Sequence, residues 1–199
     1  MAKNTGSTRL VGRVEDGSFE YNVAQFRNEI QSKDVQPEHC YMSPSGAYVI
    51  FHKGHNYDAN EIEAARIMAD NGIIVHLTSE KDISQATATF INKNGETVHK
   101  FSDGRLSMDM NSYEQSTRST PVKKNKKAQS TVVKDALEHA KDKKARIAVL
   151  YDKAGTLRRS DIRRGIRRYE GFANNTHRFD AILIISQSGH VHEWSHYKK

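Results

Sequence analysis

Three short apolar runs constrain this chain most: IIVHL at residues 73–77, RIAVLY at 146–151 and AILIIS at 181–186. Each is bounded by polar or turn residues and rich in branched side chains, the pattern of a strand buried on both faces. Between them stand segments with helical spacing. A chain that mixes buried strands with amphipathic helices hides its apolar faces only in layers, helix against sheet.

The helical segments carry their own start and stop signals. In DANEIEAARIMADNG (58–72) either Asp58 or Asn60 serves as N-cap, each with Glu three residues on, and Gly72 ends the run. TVVKDALEHAKDK (131–143) turns Val133, Ala136, Leu137 and Ala140 inward, and SDIRRGIRRYEGF (160–172), capped by Ser160, does the same with Ile162, Ile166 and Tyr169. YNVAQFRNEIQS (21–32) spaces Val23, Phe26 and Ile30 along one face.

The remaining strands follow from turn chemistry and alternation. SPSGAYVIFHK (43–53) is a turn and a strand, and RLVGRV (9–14) a short strand-like piece. ATFINKNGETVHKF (88–101) predicts a hairpin turning at Lys93-Asn94-Gly95. GRLSMDM (104–110) alternates Leu106, Met108 and Met110 against Ser107, Asp109 and Asn111, which puts Asp109 and Asn111 on one side. GHVHEW (189–194) closes the set after a turn at Gln187-Ser188-Gly189. The expected fold is α/β (α+β), a single mixed β-sheet flanked by helices, ordered α-β-β-β-β-α-β-α-β-β from residue 58. Residues 1–45 read as an N-terminal extension, residues 46–199 as the main domain, and residues 116–131 as a flexible basic loop.

Only 36% of the 199 residues are hydrophobic, so the layers carry a strongly polar surface. No apolar run approaches the ~20 residues of a membrane-spanning helix, and none follows Met1 as in a secretory signal. A cytoplasmic protein without membrane contact is expected. Cys40, the one cysteine, can form neither an internal disulfide nor a multi-thiolate metal site.

Charge narrows the partner. The net charge is +7, but residues 118–168 hold 17 Lys and Arg against 5 Asp and Glu, or +12, and the rest sums to −5. A block of that sign fits a polyanion. Lys123, Lys124, Lys126 and Lys127 lie in its apolar-poor stretch. Arg163 with Arg167, and Arg164 with Arg168, form two ladders four residues apart on one helix. Like charges at that spacing repel unless an anion sits among them, and the guanidinium fork suits phosphate. Gly165 within that helix leaves room for close approach.

Acidic residues supply the chemistry a phosphodiester would need. FSDGRLSMDMNSYE (101–114) places Asp103, Asp109 and Glu114 along a strand-hairpin edge. Asp103 and Asp109, completed by Glu61 or Glu63, are candidate ligands for a hard cation such as Mg²⁺. The competing reading makes Asp103-Gly104 a turn and the two glutamates capping residues. The 10 histidines include His52, His55, His139, His190, His192 and His196, of which His190 and His192 share one strand face. Histidine can move protons in metal-free RNA cleavage, whereas His139 suits a structural hydrogen bond. The sequence contains no Gly-rich phosphate loop, Ser-His-Asp order or Cys-His zinc spacing.

The stretch from Ala47 onward, about 150 residues, resembles the C-terminal nuclease domains of bacterial contact-dependent growth-inhibition toxins and the related C-terminal domains of phage head-morphogenesis proteins. ARIMADNG (65–72) matches the family's helix end, Ser102-Asp103 stands at its Pro-Asp, and Asp109-Met110-Asn111 at its Glu-x-Lys. The resemblance implies a nuclease-like fold and RNase activity of tRNA type, with Asp103, Asp109, Asn111 and Glu61 as catalytic positions. Asn111 stands where the family has lysine, and an amide supplies no cation. Either the lysines at 123–127 take that part, or the scaffold binds nucleic acid without cutting it, as a phage or mobile-element structural protein would. A third expectation is a protein partner engaged through residues 1–45, with the chain inhibiting a host factor.

Overall fold

The structure, a computed structural model, describes residues 7–13, 18–78, 88–91, 97–100, 106–108, 114–119, 129–142, 145, 147–174 and 176–194. The strands are β1 (Ser7–Arg13), β2 (Tyr41–Met42), β3 (Tyr48–Phe51), β4 (Ile73–Thr78), β5 (Ala88–Ile91), β6 (Thr97–Lys100), β7 (Leu106–Met108), β8 (Glu114–Ser119), β9 (Ile147–Tyr151), β10 (Ala181–Ile185) and β11 (Val191–Trp194). The helices are α1 (Phe19–Glu29), α2 (Ala59–Asp70), α3 (Gln129–Asp142) and α4 (Arg159–Glu170). The α+β class expected from the sequence holds.

The single sheet does not. Eight strands pair in the order β11-β10-β9-β8-β1-β4-β3-β2, and β5, β6 and β7 form a separate antiparallel sheet. The reason is β8. Its residues, EQSTRS, carry no apolar alternation and read as the start of a polar loop, yet their backbone fills the gap between β1 and β9. The strand-hairpin edge expected over residues 101–114 is therefore divided, with β7 in the small sheet and Glu114 paired with Arg9 in the large one.

β1 runs antiparallel to both β4 and β8 at the middle of the large sheet, and α1 packs on β3 through Phe26 and Tyr48, ring centroids 5.6 Å apart. The expected division after residue 45 therefore coincides with no break in the layers. Because β1 opposes both neighbours, strands β3, β4, β8, β9 and β10 all point the same way.

Strand alternation sorts the core into two layers. Val149, Tyr151, Leu183 and Ile185 meet Ile62, Ala65 and Met68 of α2 on one face. Ala148, Leu150, Ile182 and Ile184 meet Val133, Leu137, Ile162 and Ile166 of α3 and α4 on the other. β3 lies between α1 and α2, and every residue of YVIF is buried. Asp58 caps α2 by accepting from the Asn60 and Glu61 N–H groups at 2.8 and 3.0 Å, and Gly72 ends it with φ +81°.

Candidate nucleic-acid interface

The loop from β9 into α4 is organised by one carboxylate. Asp152 is buried, and its two oxygens accept the N–H groups of Thr156 and Leu157, each at 3.0 Å. Those bonds bend residues 152–158 so that α4 starts at the carboxyl end of the parallel strands. The cap differs from expectation. Asp161 accepts the Arg158 N–H at 3.2 Å, so Arg158 is the N-cap and Ser160 lies within the first turn. A carboxylate reaching back from the third helical position outcompetes the serine, because its charge also opposes the positive helix end.

From that start, helical periodicity separates the faces of α4 cleanly. Ile162, Gly165, Ile166 and Tyr169 go inward, and Arg163, Arg164, Arg167 and Arg168 are all exposed. Gly165 does permit close approach, but by α3. A Cβ built there would stand 2.5 Å from the Val133 side chain and 2.7 Å from the Ser130 carbonyl oxygen.

The four arginines and Ser160 line an open concavity of about 510 Å³. Their environments differ. Arg168 Nη1 donates to Thr131 Oγ1 at 2.8 Å and Ser130 Oγ at 3.3 Å, which fixes the guanidinium over the first turn of α3. Arg163 lies over the Trp194 ring at 5.9 Å, with Arg159 over the same ring at 5.7 Å. Among the described residues, Arg164 and Arg167 have no acidic partner, and Asp161 is taken up with the cap. Helix geometry spaces the two backbone positions of each ladder about 6 Å apart along the axis. Among the described residues no carboxylate pairs with Arg164 or Arg167, so an anion with several charges lowers the energy of that field most.

Glu61 and Glu63 stand on α2, away from this face. Glu61, in the first turn of α2, has Oε2 3.5 Å from Nε2 of the buried His55, whose Nδ1 meets the Thr78 carbonyl oxygen at 2.9 Å. Glu63 bridges layers: it accepts the Tyr151 hydroxyl proton at 2.8 Å and forms an ion pair with Lys153. The Lys153 ammonium holds the Glu63 carboxyl below its usual range, and burial with the Glu63 contact pushes Tyr151 up to about 12. Asp103, Asp109, Asn111, Lys123, Lys124, Lys126, Lys127, His196 and the hairpin turn at residues 93–95 lie outside the described residues. Among the described residues no three His, Cys, Asp or Glu side chains converge to hold a metal ion. Glu61 alone, turned to His55, does not make a Mg²⁺ site.

His190 and His192 share the α4 side of β11 as alternation requires, ring centroids 6.5 Å apart and both exposed. His52 and His76 meet at 3.3 Å under α1, where His76 also approaches Glu29 at 3.2 Å. Sequence reasoning missed Trp194, Arg159 and Lys153. The first two were legible as neighbours only once β11 was known to lie beside α4.

No family model matches the chain, no curated protein matches it, and no solved structure matches its fold. Among the described residues no helix is long and apolar enough to cross a membrane.

Proposed function

We propose that this chain is a cytoplasmic, nuclease-like nucleic-acid-binding protein that grips the phosphodiester backbone of RNA, in preference to DNA, with the exposed arginine face of α4. The supporting observation is the concavity lined by Arg163, Arg164, Arg167 and Arg168, in which two guanidinium groups have no acidic partner among the described residues. Arg168 is held in place by two hydroxyl groups, so part of the ordering cost of binding is met before the ligand arrives. The lysines at 123–127 join β8 to α3, and they extend the positive charge along the chain.

The resemblance to toxin nuclease domains extends the proposal to cleavage of tRNA-type substrates, with Asp103, Asp109, Asn111 and Glu61 at the reacting phosphate. Glu61 faces His55, so Mg²⁺ at this site would rest on Asp103 and Asp109. The second reading, a phage or mobile-element protein that binds without cutting, rests on Asn111 standing in place of the family's lysine.

One experiment separates them. Purified protein is incubated with tRNA, total RNA and plasmid DNA, with and without Mg²⁺, beside Asp109→Ala and a variant with all four arginines changed to alanine. The cleaving reading expects RNA fragments that vanish in Asp109→Ala. The binding reading expects intact RNA held equally by wild type and Asp109→Ala. Undiminished RNA binding by the four-arginine variant contradicts both.

A further inference from the structure

The arginine face continues past α4 onto an aromatic edge. β11 is the outermost strand of the large sheet, and Trp194 pairs with Ile182, so its ring lies on the side covered by α4. There it is half-buried, with the guanidinium groups of Arg159 and Arg163 over it at 5.7 and 5.9 Å. His192 and His190 follow along the same exposed side of the strand. Glu193, the acidic residue of β11, pairs with Leu183 and belongs to the opposite face. A row of guanidinium forks thus runs into an edge of three rings, the two histidine rings inclined at 53°, with no carboxylate of β11 between them.

Those two chemistries together select one form of nucleic acid. Arginines alone favour a duplex, whose charge density is the higher. Rings add affinity only for bases that are free to leave their stack. A guanidinium over the indole restrains its orientation and carries its own stacking surface for a base. We infer that the ligand of this face is single-stranded, its backbone on the α4 arginines and its bases on Trp194 and the adjoining histidine rings. This rests on the reading of α4 as a phosphate-binding helix, and it adds Arg159, Trp194, His190 and His192 to the interface.

Trp194 is the chain's single tryptophan, so its fluorescence reports the contact without a label. Wild-type protein is titrated at one salt concentration with a uridine 12-mer, a 12-base-pair RNA duplex and a 12-mer with the same phosphates but abasic sugars. The uridine strand is expected to quench the tryptophan and to bind about tenfold tighter than the abasic strand. For the variants, which lack the fluorophore, affinity is read from the anisotropy of end-labelled strands: Trp194→Phe should keep most of that margin, and Trp194→Ala should lose it while still binding the duplex. Equal affinity for uridine and abasic strands with unchanged fluorescence overturns the single-strand inference and leaves the arginine reading standing. No binding of any of the three overturns the arginine reading, and this inference with it.

Discussion

At the scale of single residues, buried polar groups decide where the arginine-bearing helix begins. Asp152 is the clearest case, since one carboxylate holds two backbone N–H groups of the loop that launches α4. Removing a charged acceptor from these part-buried donors costs about 1–3 kcal/mol. Asp152→Ala is therefore expected to lower unfolding stability by that amount and to weaken RNA binding together with it, as measured by urea titration and fluorescence anisotropy. His52 makes a pH prediction. Burial disfavours its charged form and holds its pKa below the usual 6.5, against the pull of Asp34 and with help from His55. The unfolded chain thus binds the additional proton, and stability falls as pH drops through about 6.5. Burial raises Glu29 above its usual 4.5, which gives the opposite slope in its own window: stability is regained as pH falls toward that value. Melting curves across mild acid should show the loss in wild type and a flatter profile in His52→Gln.

At the scale of elements, the packing of α3 on α4 is the contact that presents the arginines. Gly165 permits it by bringing the helices closer than any side chain allows. Gly165→Ala should cost about 1–3 kcal/mol of stability by overpacking, despite alanine's better helix propensity, as read by chemical denaturation. This element also shows what the sequence could disclose. The inward stripe of α4, the Gly72 stop of α2 and its cap (narrowed to Asp58 or Asn60), and the strands β4, β9 and β10 were legible because each depends on residues within a turn or two. The partner of Gly165 was not, because Ser130 and Val133 lie more than thirty positions earlier. β8 escaped notice for a related reason. Its residues have little strand preference of their own, and only β1 and β9 on either side make them a strand. The same holds for Trp194, an unremarkable edge residue until pairing with β10 sets it beside α4.

At the scale of the whole molecule, parallel strands and helices on both faces bring separate stretches of chain to one edge. The loops leaving β3 and β9 lead into α2 and α4, so Glu61, Lys153 and Arg159 all follow carboxyl ends of strands pointing the same way. Ligands of open α/β sheets gather at such an edge. Charge asymmetry adds to this, since the +12 of residues 118–168 sits in and between β8, α3, β9 and α4 while the rest of the chain is acidic. Attraction of a polyanion is expected to be strong at low salt.

The central claim is that the α4 arginines neutralise phosphates, and counterion release measures it most directly. Affinity for a single-stranded RNA is determined at a series of salt concentrations for wild type and for the variant with Arg163, Arg164, Arg167 and Arg168 changed to alanine. Loss of four phosphate contacts should reduce the slope of log affinity against log salt by about 2.8, and weaken binding at every concentration. Equal slopes for the two proteins would contradict the claim.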